Sequence, residues 1–470
     1  EMKQLHDRVV FEPIKLADMK TLERKRAMES LIFLVEKRDG TVKARTCANG
    51  STQREYIKRE DAASPTASTD SIIITSVIDA KQERDVMTAD VPNAFVQTEI
   101  DPSDEKVIMK IRGVLVDMLV EMSPEIYQDY VVVHGKDKIL YVRMLKALYG
   151  MLVASLLYYK KFVKDITTIG FVLNPYDPCL ANREVEGRQH TIIWHVDDIK
   201  ASHINSKVND ELKVWLQKTY GEDGIGTVKT TRGKKHDYLA MVLDFTEKGK
   251  LRLDMCDYVK GMCTEFAALL PGKKLNKANS PWTANLFKVD ENSKLLSDKT
   301  RQHFHTFVMK GMFVCKRARQ DVQPGIIFLS SRVTKPTVND WTKLVRLMGF
   351  LNATQDDVAT LEADDSQSVD WHIDAAFAVH NDYKSHTGAT LTLGKGCVTS
   401  ISAKQKVNTR SSTESELVGM DDVVAKIVWT KYMIEAQGFN IENIAHRDNT
   451  STMKLEENGK SSSGKRNATF

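Results

Sequence analysis

Along the chain, short apolar runs bounded by turn residues predict strands, and the most informative of these runs surround two adjacent acids, Asp197 and Asp198. Residues 191–202 have apolar positions on both sides of the pair and predict two short strands joined by a tight turn. The turn contains neither Asn-Gly nor Asp-Gly, the dipeptides that most often close such a hairpin. Neighbouring carboxylates at a hairpin tip repel each other unless a cation lies close to them. The pattern indicates either a divalent-metal site or a solvated acidic turn.

Other segments before residue 250 also have the apolar spacing of regular elements. They predict a hairpin of residues 31–35 and 41–47 closed by Asp39 and Gly40, helices at 66–80, 151–162 and 210–220, and a strand at 85–90. The last of these strands ends in Asp90. Taken alone, an acid after a strand is usually a turn residue or a helix cap.

The second half of the chain begins with helical patterns and ends with alternating strands and helices. We expect helices over 250–360 with breaks at Pro271, Pro324 and Pro336, an acidic linker at 361–368, a strand at 369–374, a hairpin of 385–388 with 391–394, a strand at 398–402, a helix from Ser411 to Gly438, and a strand at 444–449. Two of these strands contain or end in an acid, at Asp374 and Asp448.

The long helix presents two glutamates to different surroundings. Glu416 lies on the same stripe as Met420, Val423 and Ile427, which we expect to face a sheet, whereas Glu414 lies toward water. A carboxylate on a buried stripe is costly unless it is paired or bound to a metal ion. The alternative is that a first-turn glutamate only interacts with the helix dipole.

Composition narrows the class of protein without deciding it. The chain has 470 residues, enough for about three domains of ~150 residues. Apolar residues make up 42% and charged residues 28%, as in soluble folded proteins, and no apolar run or signal peptide indicates a membrane protein. Six scattered cysteines favour reduced thiols in an intracellular protein. A net charge of +4 permits a nucleic-acid partner without requiring one.

Several motifs in this order resemble the polymerase region of copia-type retrotransposon Pol polyproteins. The segment from Trp194 to Asp198 is similar to the family's Tyr-Val-Asp-Asp motif, and the segment from Asp90 to Phe95 is similar to its Asp-Val-Lys-x-Ala-Phe motif. Further similar segments are Lys43–Arg45, Ser64–Pro65, Lys146–Gly150, Gly170–Leu180 and Tyr238–Met241. The chain departs from the family at Pro92, Leu152, Val153, Ser155, His195 and Ala240. The resemblance covers nearly the whole chain, which begins at Glu1 and is expected to be a piece of a longer polyprotein.

The resemblance implies an α+β and α/β multidomain fold, in which a right-hand polymerase with fingers, palm and thumb precedes an RNase H-like domain. The implied boundaries are fingers and palm at 1–250, thumb and connection at 251–365, and a C-terminally truncated RNase H-like domain at 366–470. The implied activity is RNA-directed DNA polymerisation by two-metal nucleotidyl transfer, with degradation of the RNA strand of RNA–DNA hybrids.

For the polymerase chemistry, the resemblance assigns Asp90, Asp197 and Asp198 as catalytic ligands of Mg²⁺ or Mn²⁺. Because Asp197 lies downstream in a matching motif, a metal ligand becomes the preferred interpretation of Asp90.

The resemblance also implies four nucleotide-binding residues. Lys43 and Arg45 hold the triphosphate, for which ammonium and guanidinium groups are suited; the alternative is a solvated strand face. Phe95 packs under the sugar. Gly150 allows the backbone to pass close to a base pair, the alternative being a plain helix-start glycine.

In the last hundred residues, the order strand–Asp374, helix–Glu416, strand–Asp448 resembles the RNase H layout. The resemblance implies that these three acids are catalytic and hold two Mg²⁺ ions. The family's fourth acid belongs near or beyond the end of the chain, since residues 464–470 lack it.

The implied partners are an RNA template, a DNA or tRNA-like primer and the growing RNA–DNA hybrid, dNTPs, and other Gag and Pol products, with no membrane. The implied location is intracellular, in a cytoplasmic particle or the nucleus. Two alternatives remain open: a decayed, inactive fragment that only binds nucleic acid, and a structural protein recruited by the host.

Overall fold

We describe the protein from a computed structural model, which covers residues 1–36, 40, 42–102, 105–135, 137–221 and 226–458. Over these residues the chain is a mixed α+β structure whose strands form four sheets. None of its helices, within that described part, is both long and apolar enough to cross a membrane.

The first 150 residues contribute one complete sheet and one strand of a second. Their elements are α1 (Met2–Asp7), β1 (Phe11–Pro13), α2 (Thr21–Arg26), β2 (Met28–Glu36), β3 (Val42–Ala48), α3 (Arg59–Ala62), α4 (Thr69–Lys81), β4 (Asp85–Asp90), β5 (Ile108–Arg112), α5 (Val114–Met122), α6 (Pro124–Tyr127), β6 (Val131–His134) and β7 (Asp137–Met144). The first sheet has the order β1-β7-β5-β2-β3, with β6 against β7. The predicted hairpin is present as β2 and β3, while most of its turn lies outside the described residues.

The next hundred residues complete the second sheet. Their elements are α7 (Ala154–Thr168), β8 (Val172–Asn174), β9 (Asp177–Val185), β10 (Arg188–His195), β11 (Asp198–His203), α8 (Ser206–Tyr220), β12 (Lys229–Gly233), β13 (Lys235–Tyr238), β14 (Met241–Asp244) and β15 (Lys250–Asp254). The order of this sheet is β12-β4-β11-β10-β9-β8. Apolar side chains of α4, α7 and α8, including Ile73, Phe162 and Leu216, are buried in one core with Trp194 of β10.

The remaining elements form a helical region and a third and fourth sheet. They are α9 (Cys256–Ala267), α10 (Asp298–Cys315), α11 (Gln323–Ser330), α12 (Val338–Ala353), β16 (Ala359–Ala363), β17 (Ser368–Ala376), β18 (His386–Thr392), β19 (Gly394–Lys395), β20 (Thr399–Lys404), α13 (Ser412–Glu435), β21 (Glu442–His446) and α14 (Thr450–Asn458). The third sheet, β13-β14-β15-β16-β19, crosses the expected domain boundaries at 250 and 365. The fourth has the order β20-β18-β17-β21, with β17 and β21 parallel.

Three expectations for this half were wrong in detail. The expected hairpin of 385–394 is one strand, β18, because Gly388 is paired with both neighbouring strands and does not turn the chain. The expected linker begins as β16, with Leu361 buried. Pro324 lies in the first turn of α11 and does not break a helix there, since a proline in that turn leaves no helical hydrogen bond unmade.

Helix α13 packs against the second sheet as well as its own. The indole nitrogen of Trp429 donates to the carbonyl of Tyr176 at 2.9 Å, and the amide of Asn174 donates to the carbonyl of Met433 at 3.0 Å. Lys426 forms an ion pair with Asp70 of α4 at 2.5 Å. These contacts hold α13, which packs on the fourth sheet, against the region that contains Asp90 and Asp197.

Candidate active sites

Three acids lie at the neighbouring ends of two central strands of the second sheet, and we call them the N-terminal acidic site: Asp90, Asp197 and Asp198. Strands β4 and β11 are antiparallel neighbours, and Asp90 is the register partner of Asp198. Asp197 lies in the two-residue turn between β10 and β11, and its carbonyl accepts a hydrogen bond from the backbone N–H of Val91 at 3.3 Å. The predicted hairpin and strand are therefore adjacent, and both predicted acid positions lie together.

The turn at this site holds a β-branched residue in an unfavourable conformation. Val196, its first residue, has a φ of 59°, in the left-handed region where two-residue hairpins prefer glycine or asparagine. A β-branched side chain there costs on the order of 1–3 kcal/mol. The pairing of β11 with both β10 and β4 holds this turn in place.

The electrostatics of the N-terminal acidic site are dominated by burial and by the neighbouring negative charges. Burial raises the pKa of Asp197, and the charge of Asp90 raises it further, while Arg45 and His195 act in the opposite direction. Burial also raises the pKa of Asp198, with further increases from Asp197 and Asp90. Carboxylate oxygens are the ligands that hard divalent cations prefer, and such a cation relieves this repulsion. The donor set fits a divalent metal ion.

A buried ion pair supports the strand that carries Asp198. The side chain of Lys200 is 1% exposed and donates to Asp79 of α4, which also accepts a hydrogen bond from Ser202 at 2.5 Å. The hydroxyl of buried Tyr238 donates to the carbonyl of Asp198 at 3.2 Å. The sequence analysis did not predict this ion pair. The only sign of it in the sequence is that Asp79 and Lys200, of opposite charge, each interrupt an otherwise apolar segment.

Two of the predicted nucleotide-binding residues lie beside the N-terminal acidic site. The guanidinium of Arg45 lies 4.4 Å from the ring centre of Tyr149, and the Phe95 ring lies 4.6 Å from it on a tilted approach. Burial raises the pKa of Tyr149, and the negative charges of Asp197 and Asp90 raise it further. Tyr149 was not predicted, although it directly precedes Gly150. The side chain of Lys43 lies outside the described residues.

Gly150 is required by the protein's own backbone. Its φ is 90°, and a Cβ atom there would lie 2.0 Å from the carbonyl oxygen of Ala48. The neighbouring Tyr149 carbonyl accepts a hydrogen bond from Ala48 N–H at 2.7 Å, which ties this loop to β3. This contact accounts for the glycine without a ligand, and its place near a base pair stays a prediction.

The second group of acids, the C-terminal acidic site, consists of Asp374, Glu416 and Asp448. Each offers a ligand atom, and these atoms all lie within 4.8 Å of one another. They come from β17, from the first turns of α13 and from the residues just after β21. Among the described residues, Asp374, Glu416 and Asp448 are the group of three acids whose ligand atoms lie this close together. The acids of the N-terminal acidic site do not lie within this distance of one another. Three carboxylates at this distance fit a divalent cation.

Glu416 is the buried member of the C-terminal acidic site. It is 4% exposed, and its two oxygens accept hydrogen bonds from Ala375 N–H at 3.0 Å and from Arg447 at 3.3 Å. Burial raises its pKa, although these two hydrogen bonds lower it. The predicted register is confirmed, because Glu414 is exposed and accepts a hydrogen bond from Arg410 N–H at 2.7 Å.

A cavity of about 1140 Å³ opens beside the C-terminal acidic site. One wall is the face of the fourth sheet that carries Asp374, and the other is formed by the helical region, including Trp282 and Gln323. His372 and His446 also line it, with parallel rings 4.6 Å apart. Sequence reasoning missed this wall because its residues lie far apart in the chain.

The sequence and the fold are both similar to those of known proteins. Residues 24–267 match the family described as "Reverse transcriptase (RNA-dependent DNA polymerase)". Because this match spans more than half of the 470 residues, the chain belongs to that family.

Similar proteins narrow the class further. The chain is 23% identical over 428 residues to the Retrovirus-related Pol polyprotein from transposon TNT 1-94 of Nicotiana tabacum, covering 88% of this chain and 30% of the relative. It is 22% identical over 419 residues to the Retrovirus-related Pol polyprotein from transposon RE2 of Arabidopsis thaliana, covering 85% of this chain and 25% of the relative. It is 20% identical over 440 residues to the Transposon Ty1-NL2 Gag-Pol polyprotein of Saccharomyces cerevisiae, covering 90% of this chain and 23% of the relative. The predicted membership of the copia-type Pol polyproteins is confirmed, and the chain spans less than a third of the length of these relatives.

A solved structure has a similar fold. The foamy viral protease–reverse transcriptase, determined in complex with double-stranded DNA, aligns with a TM-score of 0.51 and 14% identity, covering 96% of this chain and 62% of that one. The predicted fold class, a polymerase followed by an RNase H-like domain in an α+β multidomain protein, is confirmed.

Proposed function

We propose that this chain is an active RNA-directed DNA polymerase and that the N-terminal acidic site is its polymerisation centre. The observation that carries the proposal is the pairing of Asp90 with Asp198 across β4 and β11, with Asp197 in the adjoining turn. The proposed domains are fingers and palm at 1–250, thumb and connection at 251–365, and an RNase H-like domain from 366, with the third sheet joining all three.

The proposed roles of the residues follow from their positions. Asp90 and Asp197, with Asp198 beside them, would hold Mg²⁺ or Mn²⁺. Such ions, when bound, acidify the attacking hydroxyl and neutralise the triphosphate. The positive charge of Arg45 is close enough to Asp197 to lower the pKa of that carboxyl, which supports a role for Arg45 in binding a phosphate at this site. Phe95 packs against Tyr149 and forms an apolar floor beside the acids, suited to a sugar ring.

The substrates proposed for this centre are dNTPs, an RNA template and the growing RNA–DNA hybrid. Hybrid binding would rest mainly on contacts to phosphates and on A-form shape. The other Gag and Pol products of such an element are proposed partners, and an intracellular particle or the nucleus is the proposed location.

Primer extension on an RNA template in the presence of Mg²⁺ or Mn²⁺ tests the polymerase proposal. Extension by the parent chain and none by Asp197→Asn would support it. The rival is an inactive fragment that only binds nucleic acid, suggested by departures such as Leu152, Val153 and Ala240. Hybrid binding without extension under any metal condition would select the rival.

A second activity is proposed for the C-terminal acidic site, supported by the convergence of its three carboxylates within 4.8 Å. We propose that it cleaves the RNA strand of a hybrid, using bound divalent cations as in two-metal hydrolysis. The cavity beside Asp374 and Asp448 gives a strand access to these acids. A hybrid with labelled RNA tests this: cleavage that is lost in Asp374→Asn supports the activity, and cleavage unaffected by that change contradicts it.

A further inference from the structure

Arg447 joins a predicted metal ligand to the following helix. It lies between β21 and α14, and its side chain is only 2% exposed. One guanidinium nitrogen donates to both the carbonyl and the carboxylate of Glu416, the latter at 3.3 Å. The other terminal nitrogen donates to Glu456 of α14. A single buried cation thus connects α13, which carries Glu416, with α14.

The negative charges around Glu416 explain why its carboxylate pairs with Arg447. Asp374, Glu416 and Asp448 bring up to three negative charges within 4.8 Å of one another. Glu416 is the buried member, and a buried carboxylate needs a partner. Arg447 supplies a positive charge on the side of Glu416 that faces β21 and α14.

The two hydrogen bonds to Glu416 fix its orientation while leaving room for a cation. One oxygen accepts from Ala375 N–H at 3.0 Å, and the other accepts from Arg447. An ionised carboxylate has about four acceptor positions, so each oxygen keeps a free one. Arg447 can therefore remain in contact when Glu416 also binds an ion.

Helix α14 is itself attached to the start of α13. Thr452 of α14 is fully buried, and its hydroxyl donates to the carbonyl of Thr413 at 3.3 Å. The Glu456 contact adds a second attachment, through Arg447. The orientation of Glu416 is in this way linked to the placement of α14.

We propose that Arg447 is a positioning residue of the C-terminal acidic site, which holds the Glu416 carboxylate where it can share one divalent cation with Asp374 and Asp448. Through Glu456, it makes that orientation depend on α14. This inference rests on the metal site proposed above. Outer contacts of this kind typically change metal affinity by 10–100-fold.

The test is Mn²⁺ binding by the 470-residue chain, measured from the signal of free Mn²⁺ in electron paramagnetic resonance. Asp197→Asn with Asp198→Asn serves as the parent background, so that the bound ion reports the C-terminal acidic site. In this background Arg447→Ala should weaken Mn²⁺ binding about 10–100-fold. Arg447→Lys should recover part of that loss, because an ammonium keeps the charge but not the forked geometry.

Two further variants separate positioning from a general effect of charge. Glu456→Ala removes the α14 contact and should weaken Mn²⁺ binding a few-fold, in the same direction as Arg447→Ala. Arg410→Ala removes an exposed arginine near the start of α13 and should leave Mn²⁺ binding unchanged. Circular dichroism and thermal melting establish that each variant is folded at the temperature of the titration.

The possible outcomes test the positioning role of Arg447 and the metal site separately. A folded Arg447→Ala that binds Mn²⁺ like its parent overturns the positioning role; a lower melting temperature with unchanged affinity means that the contact is structural only. If Arg447→Ala does not fold, Arg447→Lys decides in the same way: weaker binding supports the role and parental binding overturns it. If Asp374→Asn does not alter Mn²⁺ binding in the parent, the proposed metal site itself fails, and the positioning role fails with it.

Discussion

The two acidic sites use the same kind of residue in different surroundings. In the N-terminal acidic site the strongest charges acting on Asp197 and Asp198 are those of neighbouring acids, so acid faces acid at the ends of two central strands. In the C-terminal acidic site the buried Glu416 has a cation of its own, Arg447. The first site thus depends on cations and substrate from solution for its charge balance, whereas the second is partly balanced by the protein.

The support beneath the two sites differs in a related way. Beneath the N-terminal acidic site, Lys200 lies two residues after Asp198 in β11 and forms a buried ion pair with Asp79. This ion pair does not include any of the three acids of the site. At the C-terminal acidic site, the ion pair includes a predicted metal ligand. Changes to supporting charges should therefore act on stability in the first case and on metal affinity in the second.

The largest expected effect is the separation of the two activities. Asp197→Asn should reduce RNA-templated extension by about 10³-fold or more, because several kcal/mol of charge stabilisation are lost. RNA cleavage in a hybrid should remain near the parent value in this variant. Asp374→Asn should show the reverse, in parallel assays on one hybrid substrate. Loss of both activities in either single variant would mean that the sites are not independent.

The next effect concerns the buried pair under β11. Asp79→Ala leaves Lys200 buried without its partner and should lower the free energy of unfolding by about 3–5 kcal/mol. The double variant Asp79→Ala with Lys200→Met should recover part of this, because Lys200 is then no longer a buried charge without a partner. Arg84, which also pairs with Asp79 at 3.7 Å, keeps its hydrogen bonds to Thr191 and Gln189 in both variants. Denaturant unfolding followed by tryptophan fluorescence measures both, as Trp194 lies in the same sheet. Equal stability of the single and double variants would contradict the account.

A pH effect on stability is expected from both of the sheets that carry the two sites. Burial lowers the pKa of His190 in β10 to about 3 and that of His386 in β18 to about 4, from 6.5. The unfolded chain takes up these protons first, so stability is complete above about pH 6.5 and falls as the pH is lowered. The loss should reach roughly 2 kcal/mol for each histidine by pH 5.

Thermal unfolding between pH 7 and pH 5 measures this loss. His386→Gln should flatten the slope in that range by removing one of the two buried groups. A parent melting temperature that does not change over the same range would show that these histidines are not buried as neutral rings.

The smallest expected effect lies in the turn between β13 and β14. Ala240 has a φ of 63°, where a side chain is strained, and it stands in the position at which the family has glycine. Ala240→Gly should raise the free energy of unfolding by about 1 kcal/mol. A melting temperature that falls in this variant would argue against strain at the turn.

Local pattern was enough to predict the segments that the structure brings together in the two acidic sites. Alternation around Asp197, the strand that ends in Asp90, and the apolar stripe that includes Glu416 are all properties of contiguous segments. Each segment was placed correctly, and the motif order supplied the expectation that the acids meet.

The missed features all depend on pairings between distant parts of the chain. The contacts of Lys200 with Asp79 and of Arg447 with Glu416 cross from one element to another and leave no periodic signal. The joining of β15 to β16, more than a hundred residues apart, is of the same kind. Periodicity predicts which face of an element is buried, but it does not predict the element that covers it.

The most direct measurement for the central claim is crystallography of the chain with a primer–template and Mn²⁺, using anomalous scattering to locate the ions. The account predicts Mn²⁺ within about 2.0–2.6 Å of carboxylate oxygens of both Asp90 and Asp197, the range of hard-cation contacts. Ions bound elsewhere, with Asp90 and Asp197 contacting no common metal, would contradict it.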